Sequence, residues 1–202
     1  MKKNKILKTL GLFGCAILLV AVSIAGTVAY LTSTTGTVTN TFTVGSVNIT
    51  LDEAKVDLYG VKADPEVRVT ADNKYKLIPG HTYVKDPTVH VLEGSENCWL
   101  FVKVVNNISA IETTDDNTKT IAGQMAANGW VAVDGVANVY YHEPVDARTA
   151  AQDVNVFESF TVKTDAAVNS YNGKTVEITA YAIQADGFGN NAKDVWTAAG
   201  FN

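Results

Sequence analysis

The chain has 202 residues, of which 47% are hydrophobic and 18% charged, and this composition excludes wholesale disorder and suits one folded domain with a single core. Four lysines, at positions 2, 3, 5 and 8, precede the first acidic residue, so the rest of the chain carries 12 basic and 21 acidic side chains, a net charge of −9. Such an acidic body disfavours nucleic acid as a partner, because binding phosphate needs an excess of Lys and Arg.

A secretory signal peptide is predicted over residues 1–29. A basic start is followed by an apolar run from Leu10 to Ala29 that ends in small residues, which is the anatomy of a cleavable leader. We place cleavage between Ala29 and Tyr30, which predicts a secreted protein that meets the membrane only through its uncleaved leader. The alternative is a retained anchor, because residues 9–31 are about long enough to cross a bilayer.

The two cysteines, Cys15 and Cys98, predict no disulfide in the mature protein, since only one of them follows the leader. Cys15 precedes most of the apolar run, an order that argues against lipid attachment. Cys98 begins the apolar run 98–102, where a buried and inert thiol is expected.

Residues 30–51 are predicted to form an extended arm that continues into the first strand. Thr and β-branched residues favour extended backbone here, and the parity of the apolar positions changes at Gly45, which indicates a bulge or kink. The arm can complete the sheet of another copy by strand addition or pair within its own domain, and the sequence leaves both open. The proposed donor-strand residues are Val38, Phe42, Val44, Val47, Ile49 and Leu51.

The body is predicted to span residues 52–202, forming with the arm one domain over 30–202. Its first half contains, in chain order, short strands at 54–59 and 67–69, a type II Pro-Gly turn within 77–80, and strands at 88–92 and 98–105. The strand at 98–105 is apolar at consecutive positions, so we expect it to lie centrally in a sheet covered on both faces.

The second half is predicted to add two short helices and further strands. The elements are a helix at 121–128 with Gly129 as C-cap, a hairpin over 130–141 with a two-residue type I′ turn at Asp134-Gly135, strands at 154–162 and 175–184, and a terminal helix at 191–199 whose Trp196 docks on the sheet. Many short strands without βα alternation predict an all-β fold, an antiparallel β-sandwich of jelly-roll-like or immunoglobulin-like type with one or two short helices.

The sequence predicts no catalytic residue, no metal site and no cofactor. His81, His90 and His142 stand in no pair with metal-ligand spacing, and no nucleophile, phosphate-binding or dinucleotide motif is present. The acidic loop segments at 64, 72–73 and 115–117 lack the spacing of a known calcium loop.

Three parts of the chain resemble the TasA/camelysin-like secreted proteins of Firmicutes, which are exported with a dedicated SipW-type signal peptidase. The residues that carry the resemblance are Gly26–Leu31 with Asn40–Val47, Leu77–Gly80 with Lys85–Val89, and the closing strand Ile178–Ala185. The resemblance implies a jelly-roll domain that enters extracellular or biofilm matrix or surface fibres, with itself or related matrix proteins as partners, by donor-strand exchange of the new N-terminus.

The same resemblance implies a competing activity, because camelysin is described as a cell-surface zinc metallopeptidase. No zinc motif is available here to receive that activity, so no catalytic residue is carried over. Two alternatives to a fibre protein therefore stay open, a surface metallopeptidase and a monomeric surface binding module.

Overall fold

Antiparallel β-strands make up most of the regular structure in a computed structural model of the protein, which describes residues 45–70 and 73–201. The ten strands of this part are β1 (Ile49–Ala54), β2 (Arg68–Val69), β3 (Thr82–Val84), β4 (Thr88–Val91), β5 (Ser95–Asn106), β6 (Val131–Ala132), β7 (Val139–Ala147), β8 (Gln152–Asn155), β9 (Ser159–Thr161) and β10 (Val176–Gln184). Two short helices accompany them, α1 (Ile121–Ala127) and α2 (Ala192–Ala198).

The strands form two four-stranded sheets and a small two-stranded one. The first sheet has the order β2-β1-β4-β8, the second β10-β5-β7-β6, and β3 pairs with β9. Val89 and Val91 of the first sheet and Leu100 and Val102 of the second are fully buried in one cluster, which we call the main core. The prediction of an all-β antiparallel sandwich is thereby confirmed, and its jelly-roll type stays a prediction.

Strand β5 has both faces buried over residues 98–102, as the apolar run there predicted. Leu100 and Val102 face the main core, whereas Trp99 and Phe101 belong to a second cluster on the opposite side of the sheet, the second core. In the second core Trp196 of α2 lies 5.4 Å from the ring of Phe101 and 5.1 Å from that of Tyr181. The docking of the terminal helix through Trp196 is therefore confirmed.

Local chemistry explains why both helices begin where they do. The hydroxyl of Thr120 accepts the Gly123 N–H ahead of α1, and the side chain of Asn191 accepts two N–H groups at the start of α2. Gly129 has a φ of 86°, as expected of a C-terminal glycine that follows a helix. The predicted helices at 121–128 and 191–199 are confirmed.

Two predicted turns have different outcomes. The Ile78 carbonyl accepts the His81 N–H and Gly80 has a φ of 78°, which confirms a type II turn. The hairpin between β6 and β7 also forms, but its two-residue type I′ turn is wrong. Only Gly135 of the Asp-Gly pair has a positive φ, and six residues, 133–138, connect the two strands.

The predicted strand at 154–162 is wrong because the chain changes sheets inside it. Strand β8 pairs with β4, whereas β9 pairs with β3. Val156 and Phe157 between them are both fully buried, and two consecutive buried residues break the alternation of a half-exposed strand. The strand predicted at 54–59 is also wrong, since the Asp57 carboxylate accepts the N–H groups of Tyr59 and Val61 and turns the chain.

The remaining predicted elements keep their places. Strands β4, β5 and β10 confirm the strands predicted at 88–92, 98–105 and 175–184, and β2 lies within 67–69. Residues 1–44 lie outside the described part, and with them the leader, the cleavage site and Val38, Phe42 and Val44. None of the helices within residues 45–70 and 73–201 is long and apolar enough to span a membrane.

Candidate functional site

The outer side of strand β10 is the longest regular sheet edge in the described part of the chain. All nine residues from Val176 to Gln184 pair with β5 in one unbroken register. On the other side of β10 no described strand is paired. We call this side the β10 edge.

The register fixes which peptide groups of β10 point outward. Just beyond the two ends of the strand, Ala185 N–H donates to Asn97 at 2.7 Å and Asn107 N–H donates to the Thr175 carbonyl at 3.0 Å. Residues of an antiparallel strand alternate between bonding the partner and pointing away from it. The odd-numbered residues therefore bond β5, and the outward peptide groups belong to Val176, Ile178, Ala180, Ala182 and Gln184.

The side chains at these outward positions make the β10 edge suitable for an added strand. Those of Val176, Ile178, Ala180 and Ala182 pack against the main core but remain only partly buried. Natural sheets protect their edges with prolines, bulges and charges, and β10 has no proline, no bulge and one charged residue, Glu177. A further strand here would gain main-chain hydrogen bonds and cover apolar surface.

The described part of the predicted donor strand is engaged within its own chain. Ile49 and Leu51 lie in β1, where they pair with Val91 and Val89 of β4. Val47, Ile49 and Leu51 all pack against the main core, so the predicted parity of these three residues is confirmed. The structure thus brings together three of the six proposed donor residues, and the other three lie outside the described residues.

A second feature, a set of charged side chains on the outer face of the first sheet, had no counterpart in the sequence analysis. Arg68 Nε donates to Asp52 Oδ1 at 2.7 Å and its Nη1 donates to Asp86 Oδ2 at 3.1 Å. Asp86 Oδ1 also accepts the Ala54 N–H at 2.7 Å, two residues beyond the point where the ladder between β1 and β4 ends. Arg68 and Asp86 therefore link β2, β1 and the segment just before β4 through hydrogen bonds.

His90 extends this charged set across the sheet. Its Nε2 lies 3.0 Å from Asp52 Oδ1 and its Nδ1 lies 2.6 Å from Asp153 Oδ1, so the ring bridges β1 and β8 from its place on β4. Burial disfavours the charged ring, but its hydrogen bonds to both carboxylates and the negative charges of these groups outweigh burial and raise the pKa of His90. Burial likewise opposes ionisation of Asp52, yet His90 and Arg68 together lower its pKa.

No family model, curated protein or solved structure matches the chain. The resemblance to TasA/camelysin-like proteins accordingly stays a hypothesis carried by the residues quoted above.

The other titratable groups that the sequence singled out have separate local partners. His81 Nε2 lies 2.8 Å from the Tyr59 carbonyl oxygen, and His142 Nδ1 lies 2.9 Å from that of Glu143. Cys98 is fully buried, as predicted, and burial raises the pKa of its thiol to about 11. Within residues 45–70 and 73–201 no three His, Cys, Asp or Glu side chains are grouped so that they could hold a metal ion.

Proposed function

We propose that this is a secreted structural protein of the extracellular or biofilm matrix or of the cell surface, whose copies join by strand addition at the β10 edge. The observation that carries the proposal is the regular nine-residue edge with five outward peptide groups and a half-buried apolar row. Cleavage after Ala29 by a SipW-type signal peptidase frees the arm that supplies the added strand.

The donated segment is narrower than the sequence suggested. Ile49 and Leu51 already bond β4, so a donor that included them would have to break this ladder. We therefore assign donation to residues 30–44, in which Val38, Phe42 and Val44 share one parity and can cover the apolar row of the β10 edge. Strand β1, which follows the proposed donor segment in the chain, approaches β10.

A proline at an outward position of β10 tests the proposal. In Ala180→Pro the lost N–H points away from β5, so the internal ladder keeps its bonds while strand addition loses one. Ala180→Ser keeps the N–H and is the matched control. We expect mature protein and Ala180→Ser to form filaments by electron microscopy, and Ala180→Pro to stay folded by circular dichroism but unassembled.

Deletion of residues 30–44 tests the donor separately. The shortened protein should stay soluble and monomeric. A synthetic peptide of residues 30–44, when added to it, should bind at its β10 edge. Filaments from the deletion variant, or from Ala180→Pro at the yield of the parent, would contradict the proposal. A mature protein that stays monomeric at high concentration would instead favour a surface binding module.

A further inference from the structure

Three polar side chains meet on the inner side of the first sheet, at the end of the main core. Lys85 Nζ lies 2.7 Å from Glu53 Oε2, and Asn73 Nδ2 donates to Glu53 Oε1 at 2.8 Å. One carboxylate thus holds a primary amine on one oxygen and a primary amide on the other. Glu53 has the parity of Ile49 and Leu51, which face the main core, so this triad is separate from the charged set on the outer face.

Two members of the triad are shielded from water, and the third, Asn73, is partly buried. Glu53 and Lys85 are each only 8% exposed, and Tyr75 lies beside them. Burial, with the charges of Glu53 and Asp86 adding to it, raises the pKa of Tyr75. The Tyr75 ring packs edge-on against Tyr83 and Phe160, at centroid distances of 5.7 and 5.3 Å. In such surroundings charges are costly unless they are paired, and Lys85 and Glu53 form such a pair at 2.7 Å.

The Asn73 amide is held in one orientation by three hydrogen bonds. Its Oδ1 accepts the Val56 N–H at 3.1 Å, and its Nδ2 donates to the Ala54 carbonyl at 2.9 Å as well as to Glu53. A backbone N–H on the carbonyl oxygen stabilises negative charge that develops there when a nucleophile attacks the carbon. The nitrogen that would leave already bonds the carboxylate that can protonate it.

We propose that Lys85 and Asn73 form an intramolecular isopeptide bond, with Glu53 as the proton-transferring catalytic residue. Lys85 passes a proton to Glu53, and the neutral Nζ attacks Asn73 Cγ while the Val56 N–H stabilises the oxygen. The Cγ–Nδ2 bond breaks, Glu53 protonates Nδ2, and ammonia departs. Of the three Nζ protons, one stays in the new amide, one leaves in the ammonia, and one remains on Glu53 or leaves with the ammonia as ammonium. No redox partner is required.

The bond would give the secreted body a covalent closure that its cysteines cannot provide. Cys98 is the only cysteine after the leader and is buried, whereas an amide between residues 73 and 85 ties the segment before β3 to the segment before β4. Close, fixed neighbours react as in a unimolecular step, so folding alone suffices to start the reaction.

Intact-mass measurement of the full mature protein tests the inference. We expect its mass to fall short of the sequence mass by one ammonia, and a proteolytic digest to contain one branched peptide joining residues 73 and 85. Lys85→Arg and Glu53→Gln should each have the mass calculated from the variant's own sequence, and neither digest should contain the branched peptide. Lys62→Arg is the matched control, because Lys62 also pairs with a buried carboxylate, that of Asp86, but outside the triad. This variant should still lose one ammonia.

The outcome does not depend on assembly, so it is separate from the proposed function. A folded wild-type protein with its full sequence mass would overturn the inference, and the triad would then be an ion pair with a hydrogen-bonded amide. Ammonia loss that persists in Lys85→Arg and gives no branched peptide would overturn it as well, because a succinimide at an asparagine has the same mass change. If Glu53→Gln fails to fold, Lys85→Arg, which keeps the positive charge, decides the matter.

Discussion

The two large sheets of the sandwich are stabilised differently. The second sheet is covered with apolar side chains on both faces, the main core on one and the second core under α2 on the other. The first sheet is apolar only on its inner face, and its outer face carries the charged set of Arg68, Asp52, Asp86 and His90. The second sheet therefore gains packing on both faces, whereas ion pairs between side chains link the strands of the first sheet across its outer face.

This difference bears on the β10 edge and on strand addition. The edge belongs to the doubly covered sheet, in which β10 keeps one unbroken register with β5. An added strand therefore meets a regular edge. The first sheet instead fixes its outermost strand, the two-residue β2, through the guanidinium of Arg68 rather than through a long ladder.

The largest expected effect on stability comes from removing the Phe101 side chain from the second core. Phe101 is fully buried on β5 and contacts the rings of Trp99, Trp196 and Phe201. Replacing it by alanine should lower the free energy of unfolding by roughly 3–5 kcal/mol. Urea unfolding followed by tryptophan fluorescence measures this, and a loss below that of a typical surface substitution would mean that α2 is not packed on the sheet.

A smaller effect is expected from the first sheet. Asp86→Ala leaves the Ala54 N–H and part of the Arg68 guanidinium without partners, which should cost about 2–3 kcal/mol. Asp146→Ala is the matched control, because Asp146 also accepts a backbone N–H and pairs with an arginine, Arg148, but is exposed. The control should leave the urea midpoint unchanged, and equal losses from both variants would contradict the contrast between a shielded and a solvated carboxylate.

The second sheet was largely predictable from the sequence, and the reason is local. The apolar run of β5, the alternation in β10 and the Asn-capped helix with Trp196 each carry their signal within a dozen residues. The β6–β7 turn differed, because a single positive φ at Gly135 does not make a type I′ turn, and β7 runs on to Ala147, beyond the hairpin predicted to end at 141.

The first sheet and the triad were not predictable in the same way. In the triad, Asn73 lies 20 residues and Lys85 lies 32 residues from Glu53 along the chain, and no local pattern links the three. One signal was present: the odd positions that face the core run through Val47, Ile49 and Leu51 to Glu53, and a carboxylate at an inward position needs partners. Loop residues supplied those partners, and loop geometry is not encoded in strand periodicity.

The smallest expected effect is a pH dependence that belongs to the first sheet alone. Because the pKa of His90 is raised in the folded protein, its bonds to Asp52 and Asp153 contribute fully below the ordinary histidine value of 6.5 and are lost as pH rises through the folded value. Since the pKa of Asp52 is lowered, its contribution is present above 3.8 and is lost as pH falls through the folded value. Urea midpoints should therefore decline as pH rises above 6.5 and through the raised pKa of His90. His90→Gln should flatten that decline, whereas His142→Gln, whose ring bonds only the Glu143 carbonyl, should keep it. If the urea midpoint of His90→Gln declined with pH as much as that of the parent, the pH dependence would belong to another group. The bonds of His90 to Asp52 and Asp153 would then not be its source.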